Sequence, residues 1–389
     1  GGAVSEDGSR VYWNDSTDAH LYLREGAATK WAGESAAGAG AEAFQAASPD
    51  GSLAFFTKAA HLYRYEAAAN LATDLTPGGE VLGVLGASEN GSRLYYLTPA
   101  GVFLWQEGTT KKVADGADAS NYPPATGTAR VSPDGTRLAF LSEEPLTGYG
   151  NSDQNTGEPD TEVFLYDTTA NGAAGGLACV SCNAEGVAPI GSSSIPGAIT
   201  NGTGTYATQS YKPRALTNGG RRLFFDSLDA LALQDTNNDD DVYEWEAQGT
   251  GTCAQAGGCV QLISSGRSED GASFVDASAS GRDAFFLTDG SLVDADPGAV
   301  DLYDAREGGG FPVPTKPIPC EGDACQPLPS APEDPSPGTL VATEGNSPVR
   351  FPPKACPKGK RQVKRHGKTT CVAKHSGKKR HSTKKGGRR

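Results

Sequence analysis

Apolar residues in this chain gather in short runs, and six of those runs stand directly behind the same kind of polar turn. The turns read Ser5-Glu-Asp7-Gly8, Ser48-Pro-Asp50-Gly51, Ser88-Glu-Asn90-Gly91, Ser132-Pro-Asp134-Gly135, Thr217-Asn-Gly219-Gly220 and Ser278-Ala-Ser280-Gly281. Strand-like runs such as Arg93–Leu97, Arg137–Leu141 and Arg222–Phe225 follow them. A second apolar pair comes later each time: Leu21-Tyr22, Leu62-Tyr63, Val102-Phe103, Val163-Phe164, Val242-Tyr243 and Leu302-Tyr303. Asn-Gly and its relatives take positive φ readily, so each turn predicts a tight hairpin. The runs behind the turns are apolar on both faces, the pattern of strands covered by neighbours on both sides. In the third repeat this predicts strands at Val81–Ala87, Leu94–Leu97, Val102–Trp105 and Lys111–Ala114. Repeats of roughly 40–45 residues, each holding several strands, predict an all-β fold: a β-propeller of about six blades with four-stranded radial sheets.

The turn glycines are spaced by 43, 40, 44, 85 and 61 residues. The long interval has a Gly/Ser/Thr-rich middle, Gly186–Gln209, and reads as one blade with a long insertion. The first blade is expected to lack most of its first strand. With no methionine anywhere, the chain reads as a fragment or processed form, with ring closure lying upstream and the native blade count left open. Residues 1–311 are assigned to the propeller. Residues 312–353 hold twelve prolines and read as an extended, semi-rigid linker. Residues 354–389 form a basic tail, expected to be disordered apart from a small hairpin pinched off by Cys356 and Cys371.

Charge divides along the same boundary. The tail has fifteen Lys and Arg and no acidic residue, so the net charge of −13 hides a body of −28, with 19 basic against 47 acidic side chains. Such a body repels nucleic acid and anionic lipid, leaving only the tail to bind an anionic surface such as an envelope polymer. No aromatic residue interleaves the basic clusters after Phe351, which argues against base stacking and so against nucleic acid as a partner. No apolar run approaches the roughly 18–20 residues of a membrane span. The eight cysteines form four close pairs, Cys179/Cys182, Cys253/Cys259, Cys320/Cys325 and Cys356/Cys371, which point to disulfides and an oxidising compartment. Cys179-Val-Ser-Cys182 also has zinc-ligand spacing, but it lacks a second knuckle and a nearby histidine. The chain is therefore expected to be secreted or cell-envelope associated.

The Ser-Pro-Asp-Gly turn with its apolar strand, as in Ser132–Phe140, resembles the repeat of TolB-type propellers, a WD-like family of secreted and periplasmic bacterial proteins. The likeness covers roughly residues 1–311. The first four copies carry it well; Thr217–Gly220 and Ser278–Gly281 lack the Pro-Asp pair. The resemblance implies a propeller outside the cytoplasm. The family includes binding scaffolds as well as propeller domains of peptidases and lyases, so it leaves function open.

Among candidate sites, the Gly-x-Ser-x-Gly elbow of a serine peptidase is missing; Gly191-Ser-Ser-Ser-Ile195 does not fit it. His20 and His61 hold one equivalent position, filled by Gly101, Glu162, Asp241 and Asp301 in other repeats, and are expected at the surface. The chain is accordingly read as a non-enzymatic binding or scaffold module. The alternative is a metal-dependent hydrolase or lyase acting on an extracellular polymer. From turn glycine to third strand, the first three repeats take 13, 11 and 11 residues, the last three 28, 22 and 21. The three longer loops, 141–162, 226–241 and 287–301, hold sixteen Asp or Glu and no Lys or Arg, which predicts an acidic ridge on one face where a protein or envelope polymer docks. Within it, Asp235, Asn237, Asp239 and Asp241 place oxygen ligands at alternate positions, as hard cations such as Ca2+ require. Asp153, Asn155 and Asp160 echo the pattern in blade four, and Asp294, Asp296 and Asp301 in blade six. The glycine and distal glutamate of an EF-hand are absent, and a solvated loop of Asx turns is the competing reading.

Overall fold

The computed structural model describes residues 2–172, 174–201, 208–293, 296, 298–310, 360–365 and 368–373. The chain divides into two compact units, Gly1–Ala331 and Pro332–Arg389. The first is a six-bladed β-propeller built of consecutive antiparallel sheets. Helix among the described residues is limited to one 3-10 turn, Ala119–Asn121.

The third blade is the regular unit. Its strands are Gly83–Ala87, Arg93–Thr98, Gly101–Gln106 and Thr109–Ala114, within a residue or two of the positions expected from sequence. Blade two runs Glu42–Ala47, Leu53–Lys58, His61–Glu66 and Leu71–Asp74. Blade four runs Arg130–Val131, Arg137–Ser142, Glu162–Asp167 and Gly176–Cys179. Blade one has three strands, Arg10–Asn14, Leu21–Glu25 and Ala28–Trp31, and its first strand is reduced to a single bridge, Val4 to Val11. Blade six shows Ala272–Ala277, Asp283–Thr288 and Asp301–Arg306.

Blade five explains the long interval between turn glycines. Its first strand is split. Ser193–Ser194 pairs with Asp226 and Ser227, while Leu216 bridges Leu223 at the other end. Between them an insertion carries its own hairpin, Ile199–Asn201 with Thr208–Tyr211. Arg130, from the first strand of blade four, anchors the insertion through hydrogen bonds to the carbonyls of Pro196 (2.6 Å) and Pro213 (2.9 Å). The remaining strands of the blade are Arg222–Ser227, Asp241–Glu246 and Cys259–Leu262.

Second strands are buried on both faces, as their composition requires. Phe56 packs with Tyr12 and Tyr65 toward blade one, and the adjacent Phe55 packs with Val84 and Leu94 toward blade three. Tyr95 and Leu97 face the other way, onto Leu138 and Phe140 of blade four. Each fully buried Phe or Leu contributes about 1.5–3 kcal/mol, so the sandwiching of sheets between sheets is the main cohesive term.

The repeated turns join blades as well as closing hairpins. All six turn glycines have φ between +63° and +74°, in the left-handed region. The serine and aspartate close the turn on themselves: Ser132 Oγ donates to Asp134 Oδ1 at 2.6 Å, and Arg137 N donates back to Ser132 Oγ at 3.0 Å. Neighbouring turns then meet. Tyr12 and Tyr95 hydroxyls donate to the carbonyls of Gly51 and Gly135 in the following blade, both at 2.8 Å. A Cβ on Gly135 would lie 2.7 Å from Ser88 Cβ and 2.9 Å from Arg93 Cβ, so that glycine serves both conformation and close approach.

In the second unit, Lys360–Arg365 and Lys368–Ala373 pair as an antiparallel hairpin. Cys371, in that hairpin, is disulfide-bonded. Cys179–Cys182 and Cys253–Cys259 are disulfides as expected. Cys320, Cys325 and Cys356 lie outside the described residues, as does the linker 312–353.

Candidate functional site

The loops from second to third strand all leave the same end of their sheets and deliver one equivalent residue to the start of the third strand. In blades two, four and five a hydroxyl beyond the fourth strand receives the next amide. Leu62 N donates to Thr76 Oγ1 (2.8 Å), Val163 N to Ser181 Oγ (2.8 Å) and Val242 N to Ser264 Oγ (3.0 Å). In blade one Glu42 Oε2 takes this role for Leu21 N at 2.7 Å. His20 and His61 at this position are half-buried, not surface residues as expected. The His20 ring lies 4.1 Å from that of Trp31, and His61 Nδ1 is 2.8 Å from Asp74 Oδ2. Glu162 and Asp241 take the same position in blades four and five. They are 1 % and 0 % exposed, and accept from Ser181 Oγ and Ser264 Oγ respectively.

The acidic loops form one connected ridge because the links between blades bridge them. From the blade-four loop, Gln154 N donates to Pro189 O (2.8 Å), and Ile190 N donates to Asp229 Oδ1 in the blade-five loop (2.6 Å). Thr236 N then donates to Gly266 O (2.8 Å), Asn237 Nδ2 to Ser268 O (3.0 Å), and Ser268 Oγ to Asp289 Oδ1 in blade six.

Of the four residues expected to hold Ca2+, Asp235 and Asp241 are buried and near enough for the charge of one to raise the other; the carboxylates of Asp235, Asp239 and Asp241 do not converge as a three-ligand cluster among the described residues. Asp235 is 6 % exposed; its Oδ2 accepts from Tyr243 Oη, while Oδ1 has no partner. Asp241 Oδ1 accepts from Ser264 Oγ and from Gly266 N (3.2 Å), while Oδ2 has no partner. Burial holds both carboxyls above the usual carboxylate range, and the negative charge of Asp241 adds to this for Asp235. Asn237 also accepts from Asp239 N at 3.0 Å, which curls the loop; Asp239 is half-buried. Carboxylate and amide oxygens are the donor types a hard cation takes.

The echoes differ. Asp153 closes an Asx turn on the amides of Asn155 and Thr156 (both 2.6 Å), which holds its carboxyl below the usual range, and burial together with the charge of Asp153 raises that of Asp160. In blade six, Asp296 accepts from Tyr303 Oη while Leu292 N donates to that hydroxyl (3.1 Å). Blade five repeats this clamp with Asp235, Tyr243 and Leu231 (3.1 Å). Asp294 is outside the described residues. Sequence reading missed the two tyrosines, although the shared Leu-x-x-x-Asp spacing ahead of each was a usable signal.

A second cluster lies in blade four. A Glu162 carboxylate oxygen and the sulfurs of Cys179 and Cys182 lie within 4.8 Å of one another. The two sulfurs are joined in a disulfide, so the zinc reading of this spacing does not apply to the structure as it stands. Burial pushes the Glu162 carboxyl up to about 7, opposed by the Ser181 hydrogen bond and reinforced by the charges of Asp229 and Asp160.

No protein-family profile and no curated protein matches the chain. Among solved structures it is similar to TolB from Acinetobacter baumannii, with 13 % identity, a TM-score of 0.29, and 57 % of this chain and 49 % of that one covered. A second likeness is to a eukaryotic initiation factor: 12 % identity, TM-score 0.44, 79 % and 63 % covered. A third is to dipeptidyl peptidase 4 from Porphyromonas gingivalis: 12 % identity, TM-score 0.34, 78 % and 51 % covered. The chain spans less than two thirds of the length of each of these proteins. These likenesses concern the fold alone. One of them corrects the non-enzymatic expectation: dipeptidyl peptidases are enzymes, so the fold does not place this chain outside the enzymes, and no specific activity follows from it. The described residues contain no helix long and apolar enough to cross a membrane.

Proposed function

We infer that the chain is an extracytoplasmic propeller-based binding module. Its partner, a protein or an envelope polymer, docks on the acidic ridge of blades four to six. Ca2+ held by Asp235, Asn237, Asp239 and Asp241 orders the ridge, and the basic tail adds attachment to anionic surfaces. The observation that carries the reading is the pair of buried carboxyls, Asp235 and Asp241, each with an unpartnered oxygen in loops without a single Lys or Arg. A divalent cation removes their mutual repulsion and satisfies both oxygens, which otherwise carry a desolvation penalty of about 1–3 kcal/mol apiece. The two disulfides support an oxidising compartment.

A ligand that binds only the folded state stabilises it by RT ln(1 + [L]/Kd), about 2.7 kcal/mol at a hundredfold excess over Kd. Millimolar Ca2+ is expected to raise Tm, and Asp235→Asn with Asp241→Asn to remove most of that rise. Truncation of 354–389 is expected to leave the rise intact and to abolish salt-sensitive binding to anionic polymer. A Tm indifferent to Ca2+ and chelator refutes the cation; a truncated chain that still binds the polymer as well refutes the role of the tail.

A further inference from the structure

We propose that the Cys179–Cys182 disulfide is a thiol–disulfide exchange centre, with Glu162 as the group that supplies and recovers the proton. The fold places three things together. The disulfide closes a Cys-x-x-Cys segment at the end of the fourth strand of blade four. Both sulfurs line an open cleft of about 340 Å³ with Leu231, Trp245 and Cys259, large enough for a thiol side chain. Behind them, Glu162 is 1 % exposed, within 4.8 Å of both sulfurs, and its Oε1 has no partner. Ser181, between the two cysteines, donates to Oε2 and fixes the carboxyl. A purely structural disulfide needs no buried acid at its back.

The groups that face Glu162 are Ser181 and the cysteine pair from its own blade, Tyr149 and Asp160 from the blade-four loop, and Asp229 from the blade-five loop. None is basic, so the carboxyl is held in its acid form toward neutral pH, where it can donate.

The exchange balances with a dithiol as reductant. One thiolate of the dithiol attacks a sulfur of the pair. The Cys179–Cys182 bond breaks, a mixed disulfide forms, and the departing cysteine sulfur takes the proton of Glu162. The Glu162 carboxylate then accepts the proton of the second thiol as that sulfur attacks the mixed disulfide. The remaining cysteine leaves as a thiolate and is protonated from solvent. Two electrons pass from the dithiol to the pair, and Glu162 ends as it began. A protonated leaving group departs more readily, which is where the acid accelerates the step.

The test uses the full chain under native conditions with dithiothreitol, alkylation quench and peptide mass mapping of each pair. Cys253–Cys259, which shares the cleft through Cys259 but among the described residues has no carboxylate oxygen within 4.8 Å of both its sulfurs, is the internal reference. Cys179–Cys182 is expected to open about tenfold faster or more, with a rate constant per dithiothreitol thiolate that falls as pH rises from 6 to 8.5. Glu162→Gln is expected to slow this opening about tenfold at pH 6 and flatten the profile, leaving the reference pair unchanged. If that variant does not fold, the wild-type profile decides. A rate equal to the reference pair, or a flat wild-type profile per thiolate, overturns the proposal and leaves a structural cross-link.

Discussion

Blades one to three and blades four to six share one scaffold and differ in what they mount on it. The turn chemistry is common to both halves: Asp50 and Asp134 each accept from a serine two residues earlier at 2.6 Å. The core is common too, with Phe56 stacked on Tyr63 at 5.2 Å in one half and Phe224 on Phe274 at 5.4 Å in the other. The start of the third strand is where they part. A half-buried histidine or a glycine fills it in the first three blades. A buried carboxyl fills it in blades four and five, with Asp301, half-buried, in blade six. The loops ahead of that position lengthen in the same three blades. The lesson is a physical one. Packing between sheets fixes the scaffold everywhere, and the fully buried carboxyls at the start of the third strand, costly without a proton or a partner, are confined to blades four and five.

That comparison breaks if the two halves do not share a core. Phe56→Ala and Phe224→Ala both remove fully buried rings, and each is expected to cost about 3–5 kcal/mol in denaturant unfolding. A loss confined to one variant would mean that the halves are not held by equivalent packing.

The next largest effect is one of pH and belongs to blade four. The Glu162 carboxyl stands at about 7 when folded, against an ordinary value of 4.5. A folded pKa above the unfolded one means that its stability is fully present below about 4.5 and is lost as pH rises through 7. That loss is about 3 kcal/mol. Glu162→Gln is expected to flatten stability over this window.

The scaffold was legible in the sequence because turn and strand chemistry are local. Ser132, Asp134 and Gly135 meet within one hairpin, and Phe55 beside Phe56 announced burial on both faces. The extent of the insertion was legible from its composition, but its place in the middle of a strand was not. Ser193–Ser194 and Leu216 are distant in sequence and join one strand only through Arg222–Ser227. The candidate site was half legible. Acidity and spacing singled out Asp235 and Asp241, whereas the burial that gives them their chemistry comes from Tyr243, Ser264 and Gly266, contributed by the following strand and the link beyond it. Glu162 looked like an ordinary strand residue because Cys179 and Ser181 reach it only after two strands have paired.

Hydrogen–deuterium exchange with and without Ca2+ tests most directly whether ligand response is confined to the second half. Slowed exchange is expected at Thr236–Asp241 and at Gly266–Ala272, the segments that meet around Asp235 and Asp241. The short loops near His20, His61 and Gly101 are expected to stay unchanged. Protection absent from Thr236–Asp241, or spread equally over all six blades, would contradict the account.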